Sequence, residues 1–367
     1  MNILYVEPYY SGSHKTWIDS YKEYSKNNIE IISLPGKKWK WRMHGGAVSL
    51  GNQFNELNQR FDLIICSDML NLPVFKSLCN KNIQNSKFAM YFHENQLSYP
   101  WSPNDKDIQE KRDYHYAFIN YTSSLISDYN FFNSSYHFNS YIKELKKYLK
   151  KMPDFRNINS IDEIADKSDV LYIGCDLKNI YEKFSNKEKK DPIILWNHRW
   201  EYDKNPELFF RTLFKIKEKN IKFSLIIVGK KYSQYPEIFD EANIKLKDEI
   251  IFNGYCESRQ EYISKIRQSN ILPVTSNQDF FGISIMEAIC AGNYPVLPER
   301  LTYPELFDIE NNHDIFYKND KEFERKLIQV IENINNFNIA ILQKELLDKF
   351  DWNRMSFEYD KLFKSII

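Results

Sequence analysis

The stretch LWNHRWEYDKNPELFF, residues 195–210, decides the reading of this chain. An apolar run ends at Trp196, and two cations, Arg199 and Lys204, follow five residues apart. Asn205 and Pro206 then open a segment with helical periodicity. Asparagine caps a helix and proline suits its first turn. A strand passing through a polar turn into a helix is the unit of a parallel α/β sheet. No glycine-rich cradle lies here, so the two cations need another explanation. A helix N-terminus carries free N–H groups and partial positive charge. Two cations beside it suit a multiply charged anion such as a diphosphate. The same residues could instead form a surface salt-bridge network with Glu201, Asp203 and Glu207.

The alternation extends in both directions. NILYVEPYYSGSHKTWIDSYKEY reads as strand, turn and helix, and FDLIICSD and KFAMYFHEN as strands. DYNFFNSSYHFNSYIKELKKYL reads as a strand entering a helix, and VLYIGCD as a further strand. The pattern then restarts at PIILWNHR and runs through KFSLIIVGKK, EIIFNGYC, NILPVTS and YPVLP, with helices between. The charged segment 181–192 separates the series. The expected organisation is a domain at 1–175, a linker at 176–192 and a second domain at 193–349. The segment 350–367 is expected to cross back onto the first domain, anchored by Trp352. The fold class is α/β, with two doubly wound Rossmann-like domains facing across a cleft. In such sheets, ligands bind beyond the carboxyl ends of the strands.

Composition narrows the function. With 367 residues the chain can form two cores, and its formal net charge of zero argues against nucleic-acid binding by bulk charge. Five scattered cysteines without a C-x-x-C pair read as reduced thiols of a cytosolic protein. No run reaches the roughly 18–20 apolar residues of a membrane span, so no membrane insertion and a cytoplasmic location are expected.

Residues after the other strands carry further candidates. In SNQDFFGISIMEAICAG, Asp279 sits in a turn and Glu287 about two helical turns in. Phe281 and Gly282 are expected to begin that helix and to offer amides. An aspartate N-cap and an ordinary helical glutamate would give the same spacing. In the first domain, Gly12 and Ser13 form a turn after the first strand. His93, Glu94, Asn95 and Gln96 follow another strand as a polar cluster. KKWKWR, residues 37–42, alternates cations with Trp39 and Trp41 and reads as a charged loop suited to phosphate contact and base stacking. The lysines at 143, 146, 147, 150 and 151 read more simply as a solvated helix face.

These motifs carry a resemblance. ILWNHRWEYDKNPELFF, LIIVGKK, IIFNGYCE, DFFGISIMEAICAGNYPVLP, YPELF and FDWNRM, in this order, resemble the C-terminal half of retaining GT-B glycosyltransferases. EPYYSGSHKTW, LPGKKWKWRMHGGA, YFHENQLSYP and NHRWEYDKNPE resemble the tRNA-queuosine α-mannosyltransferases nearly end to end. The resemblance implies that Arg199 and Lys204 hold the donor diphosphate and that Glu287 binds the ribose. Asp279 takes the place of the first glutamate of the family's E-x7-E pattern, one methylene shorter. Phe281 and Gly282 would offer amides to sugar or phosphate, with Gly229 also at the nucleotide sugar. His93 would lie near the transferred sugar, and Gly12 and Ser13 in the loop over the donor. Lys37, Lys38, Trp39, Trp41, Arg42, Glu94, Asn95 and Gln96 are the expected acceptor contacts.

The implied reaction moves mannose from GDP-mannose to queuosine in a tRNA anticodon, with retention. The cations would stand in for a divalent ion. No metal and no cofactor are expected, because no D-x-D signature lies beside the site. Two rivals remain on sequence alone: transfer to a polysaccharide or glycolipid, and an inactive relic that binds RNA or a nucleotide sugar.

Overall fold

The computed structural model describes residues 1–80, 83–100, 107, 115–182 and 191–367. Residues 183–190 of the charged segment lie outside the described residues. The chain divides into two units, Met1–Gly174 with Trp352–Ile367, and Cys175–Asp351.

The first unit contains a six-stranded parallel sheet built from β1 (Asn2–Tyr10), β2 (Asn28–Pro35), β3 (Leu63–Ser67), β4 (Lys87–Phe92), β5 (Tyr129–Phe132) and β6 (Ser168–Val170). Its order is β2-β1-β3-β4-β5-β6. Ile3 to Val6 and Leu63 to Cys66 are buried without alternation, as expected where helices cover both faces. The order reverses between β1 and β3, so the turns after these strands flank the crevice where α/β sheets bind ligands. A register shift between Glu7 and Tyr10 bends the end of β1.

The C-terminal helix Trp352–Ser365 completes this unit. It lays Trp352, Tyr359 and Phe363 against Trp17 and Tyr21 of the helix Gly12–Tyr24. Asp360 accepts hydrogen bonds from Tyr21 Oη, Ser25 Oγ, the Lys26 amide and Asn27 Nδ2 at 2.6–2.9 Å.

The second unit contains β7 (Ile193–Trp196), β8 (Ser224–Val228), β9 (Ile250–Gly254), β10 (Ile271–Pro273), β11 (Tyr294–Pro298) and β12 (Phe316–Tyr317). The order β12-β11-β10-β7-β8-β9 is that of a dinucleotide-binding sheet. Its reversal falls between β7 and β10, which puts the turns carrying Arg199, Lys204 and Asp279 side by side. Both six-stranded parallel sheets accord with the doubly wound fold expected from the sequence.

Three local expectations are corrected. VLYIGCD does not form a strand along its length. Pairing with β5 ends at Val170, and Cys175 instead bridges Asp351. KKWKWR is not a loop, because Trp39 to Arg42 form the first turn of the helix Trp39–Glu56 behind Lys38 at φ 56°. The helix after Asp279 begins at Ile283, one residue beyond Gly282. Glu287 therefore lies just over one turn in, not two. The lysines at 143, 146, 147 and 150 are exposed on the helix Ser135–Lys150, whose opposite face buries His137, Tyr141, Leu145 and Leu149.

Candidate active site

In the second unit, the turn after β7 holds the cations. Lys204 is 7% exposed, and its Nζ donates to the Gln278 carbonyl at 2.8 Å. It lies 3.2 Å from Asp279 Oδ2 and 3.3 Å from Asp203 Oδ2. Arg199 is half exposed, 3.1 Å from Glu201 and 3.9 Å from the same Asp203 oxygen. Asp203 thus stands between the two cations. Backbone bonds fix the arrangement: Thr275 Oγ1 donates to the Lys204 and Asn205 carbonyls, and the Asn277 amide to the Asp203 carbonyl. Asn205 sits at φ 50° and caps the helix Pro206–Glu218 by accepting from the Leu208 amide.

Asp279 also accepts from Tyr303 Oη at 2.8 Å. Burial works to raise its pKa, but Lys204, His198 and the tyrosine hydroxyl outweigh that and hold it below the ordinary carboxylate range. His198 is buried, and burial together with Lys204 drops its pKa to about 4. Its imidazole is neutral at pH 7. The anionic Asp279 offsets one charge of the cation pair.

Gly229 follows β8 and runs close against this turn. A Cβ there would stand 2.0 Å from the His198 carbonyl oxygen. Only glycine lets the two strand ends approach this way. Gly282, at φ 95°, caps the helix Ile283–Cys290 with no side-chain hydrogen bond to its amides. Phe281 is buried and edge-on to Phe350.

Glu287 forms a second cluster. Its Oε1 lies 2.5 Å from Arg259 Nη2, and the Arg259 guanidinium stands over the Tyr262 ring. Asn197 Nδ2 reaches the Ser284 carbonyl at 2.8 Å and joins β7 to that helix. Sequence reading did not single out Arg259, Tyr303 or His198. His198 was visible beside Arg199. The other two gain meaning only from contacts across the sheet.

The first unit places its candidates differently. Gly12 and Ser13 are exposed in the first turn of the helix Gly12–Tyr24. His93 is buried, its amide donating to Asp68 Oδ1 at 2.9 Å and its carbonyl accepting from Asn133 Nδ2 at 2.9 Å. His14 and Glu7 lie beside it, and neither was singled out earlier. An acid inside the apolar run LYVEPYY was the available signal. Glu7, His14 and His93 offer ligand atoms within 4.8 Å of one another. The Glu7 carboxylate, however, already accepts from Tyr5 Oη, the Tyr9 amide, Ser67 Oγ and His14 Nδ1 at 2.8–3.0 Å. Its lone-pair positions are therefore in use.

In the polar cluster after β4, Asn95 Oδ1 accepts from the Leu97 and Ser98 amides and shapes the turn. Gln96 Nε2 donates to Glu94 at 3.2 Å. In the helix Trp39–Glu56, Trp39 is half-buried against Tyr116, while Trp41 is 63% exposed. Lys37 and Lys38 are exposed, and Arg42 Nε donates to the Pro35 carbonyl at 3.1 Å. None of the five cysteines forms a disulfide. Among the described residues, no helix is long and apolar enough to cross a membrane.

Comparison with known proteins fixes the family. Residues 2–175 match the N-terminal domain of tRNA-queuosine alpha-mannosyltransferase, and 178–340 match glycosyl transferases group 1. The tRNA-queuosine alpha-mannosyltransferase of Drosophila melanogaster is 31% identical over 371 residues, covering 95% of this chain and 96% of that one. Among solved structures, the sucrose-phosphate synthase of Thermosynechococcus elongatus superposes with a TM-score of 0.73 at 13% identity, over 100% of this chain and 99% of that one. A glycosyltransferase from Rickettsia africae gives 0.67 at 17% identity, over 100% and 98%. These structural likenesses establish the GT-B fold. The chain is a glycosyltransferase and belongs to the tRNA-queuosine α-mannosyltransferase family.

Proposed function

We propose that this protein transfers mannose from GDP-mannose to the queuosine of a tRNA anticodon, with retention and without a metal ion, in the cytoplasm. The observation that carries the reading is the 31% identity to a tRNA-queuosine alpha-mannosyltransferase over nearly the full length of both chains. It spans the N-terminal half, where acceptor contacts are expected, as well as the donor half.

The chemistry of the second unit supports it. Breaking the anomeric bond puts negative charge on the departing diphosphate. Lys204 and Arg199, with the amides at the start of the helix Ile283–Cys290, meet that charge as it develops. In support, β7 lies beside β10 and Lys204 already stands 3.2 Å from Asp279, so the reading asks for little reorganisation. Glu287 takes the ribose hydroxyls as acceptor. The nucleophile is a queuosine hydroxyl, and the leaving phosphate oxygen receives its proton. Phosphate contacts on the tRNA fall to Lys37, Lys38 and Arg42, and base stacking to Trp41.

The test is mass spectrometry of tRNA after incubation with GDP-mannose. Queuosine-bearing tRNA gains one hexose, and tRNA lacking queuosine gains none. Equal labelling of both, or labelling only from a uridine nucleotide sugar, overturns the proposal.

A further inference from the structure

The basic helix Ser135–Lys150 has no part in the reaction proposed above. Residues 143–156 carry six cations and two acids in a chain whose formal charge is zero. Lys143, Lys146, Lys147 and Lys150 recur at helical spacing on the exposed side, because His137, Tyr141, Leu145 and Leu149 hold the other side in the core. Glu144 offsets Lys147 at 2.6 Å. Lysines near a helix C-terminus suit its dipole, so the stripe alone needs no ligand. The residues after the helix add an independent observation. Phe155 sits at φ 37°, the left-handed region that an aromatic residue adopts at a cost. Its side chain is 89% exposed, so no packing within the chain offsets that cost. A solvated helix face accounts for the lysines but not for Phe155. Arg156 follows, and its Nε donates to the Met152 carbonyl at 2.9 Å, which ties a further cation to the helix end.

The placement suits a long polyanion. Asn133 donates to the His93 carbonyl and pairs with His137, so the helix starts against the turn after β4. Its 16 residues carry it about 24 Å from there. Ala47, Leu50 and Phe54 of the helix Trp39–Glu56 share one buried cluster with Tyr141, Leu145 and Leu149. The two helices therefore cover the same face of the first sheet. The helix that bears Trp41 and the lysine stripe lie on one side of this unit.

We infer that Lys143, Lys146, Lys147, Lys150 and Arg156 hold backbone phosphates of the acceptor tRNA away from the modified nucleoside, with Phe155 packed against a ribose or an unpaired base. This rests on the proposed reaction for the identity of the polyanion. Such contacts carry affinity and salt dependence but do not read sequence. A bilayer is the poorer fit, because the apolar side of the helix is buried in the core, whereas an interfacial helix lays that side into lipid.

The test measures binding of the full chain to tRNA with and without queuosine, from about 50 to 200 mM salt. Lys143→Gln/Lys146→Gln/Lys150→Gln lowers affinity for both tRNAs by about tenfold or more, and flattens the slope of log K against log salt by about 2–3. In transfer assays the loss falls on KM for tRNA rather than on kcat. Phe155→Gly relieves the strain, so the melting temperature holds or rises while tRNA affinity falls about fivefold or more. A structural role for Phe155 gives the reverse, lost stability with unchanged affinity. An unchanged salt slope in the triple variant, or wild-type tRNA affinity in Phe155→Gly, overturns the inference. So does binding to phosphatidylglycerol vesicles that the triple variant abolishes while its tRNA affinity stays. If the variants weaken tRNA binding as expected but no mannose reaches queuosine, the surface stands and the proposed reaction fails.

Discussion

Replacing Lys204 by methionine keeps most of the apolar stem, one atom shorter, while removing the charge. Two carboxylates then lose a cation, Asp279 at 3.2 Å and Asp203 at 3.3 Å, and the Gln278 carbonyl loses a 2.8 Å donor. Asp203 retains Arg199 at 3.9 Å, and Asp279 retains the Tyr303 hydroxyl at 2.8 Å. Breaking a buried ion pair from one side costs about 3–5 kcal/mol. Asp279 is partly accessible, which places the expectation near the lower end, at about 3 kcal/mol. Loss of one charge-stabilising donor from a transition state lowers the rate by roughly 10²–10³.

The two effects separate in Lys204→Met/Asp279→Asn. Neutralising the orphaned carboxylate restores much of the stability and none of the rate. The pH dependence has a fixed sign. In the wild type the depressed Asp279 pKa contributes stability above the ordinary carboxylate range, and this is lost as pH falls through the folded pKa. Without Lys204, burial raises that pKa, so the stability gap between variant and wild type widens from acid toward neutral pH. Urea denaturation across this range and donor hydrolysis at pH 7 make the measurement. Near-wild-type hydrolysis by Lys204→Met, or recovery of rate in the double variant, refutes the role given to this lysine.

Trp41→Ala leaves stability within about 0.5 kcal/mol, because the ring is 63% exposed, and weakens tRNA binding by about 1–3 kcal/mol in a filter-binding assay. Trp39→Ala does the reverse, lowering the melting temperature through lost contact with Tyr116. Gly229→Ala forces a Cβ against the His198 carbonyl, 2.0 Å away, and costs about 1–3 kcal/mol in denaturation together with a raised KM for donor. Dialysis against EDTA leaves the transfer rate unchanged; a loss reversed by Mg²⁺ or Mn²⁺ contradicts metal-independent transfer.

The strands and the helices after them were legible because buried parallel strands are continuous apolar runs ending in abrupt polar turns. Lys204 and Asp279 could be singled out on that ground, since both sit in such turns. The Lys204–Asp279 contact could not, because it depends on β7 lying beside β10, seventy-odd residues later in the chain. Arg259 and Tyr303 were illegible for the same reason. The tryptophans at 39 and 41 show another limit. Their spacing places one toward Tyr116 and one outward once the segment is helical, yet alternation with lysine suggested a loop. The turn role of Asn95 was illegible, because a turn-forming carboxamide and a ligand-binding one look the same in a sequence.

The return of Trp352–Ile367 to the first unit bears on how the protein is made. Cys175–Asp351 is one uninterrupted span and is whole once Asp351 has left the ribosome. The opening half emerges earlier, but the sides of Trp17 and Tyr21 that meet Tyr359 and Phe363 stay uncovered until that helix arrives. The unit that emerges before the other is therefore finished after it, with an aromatic face open to chaperones during translation.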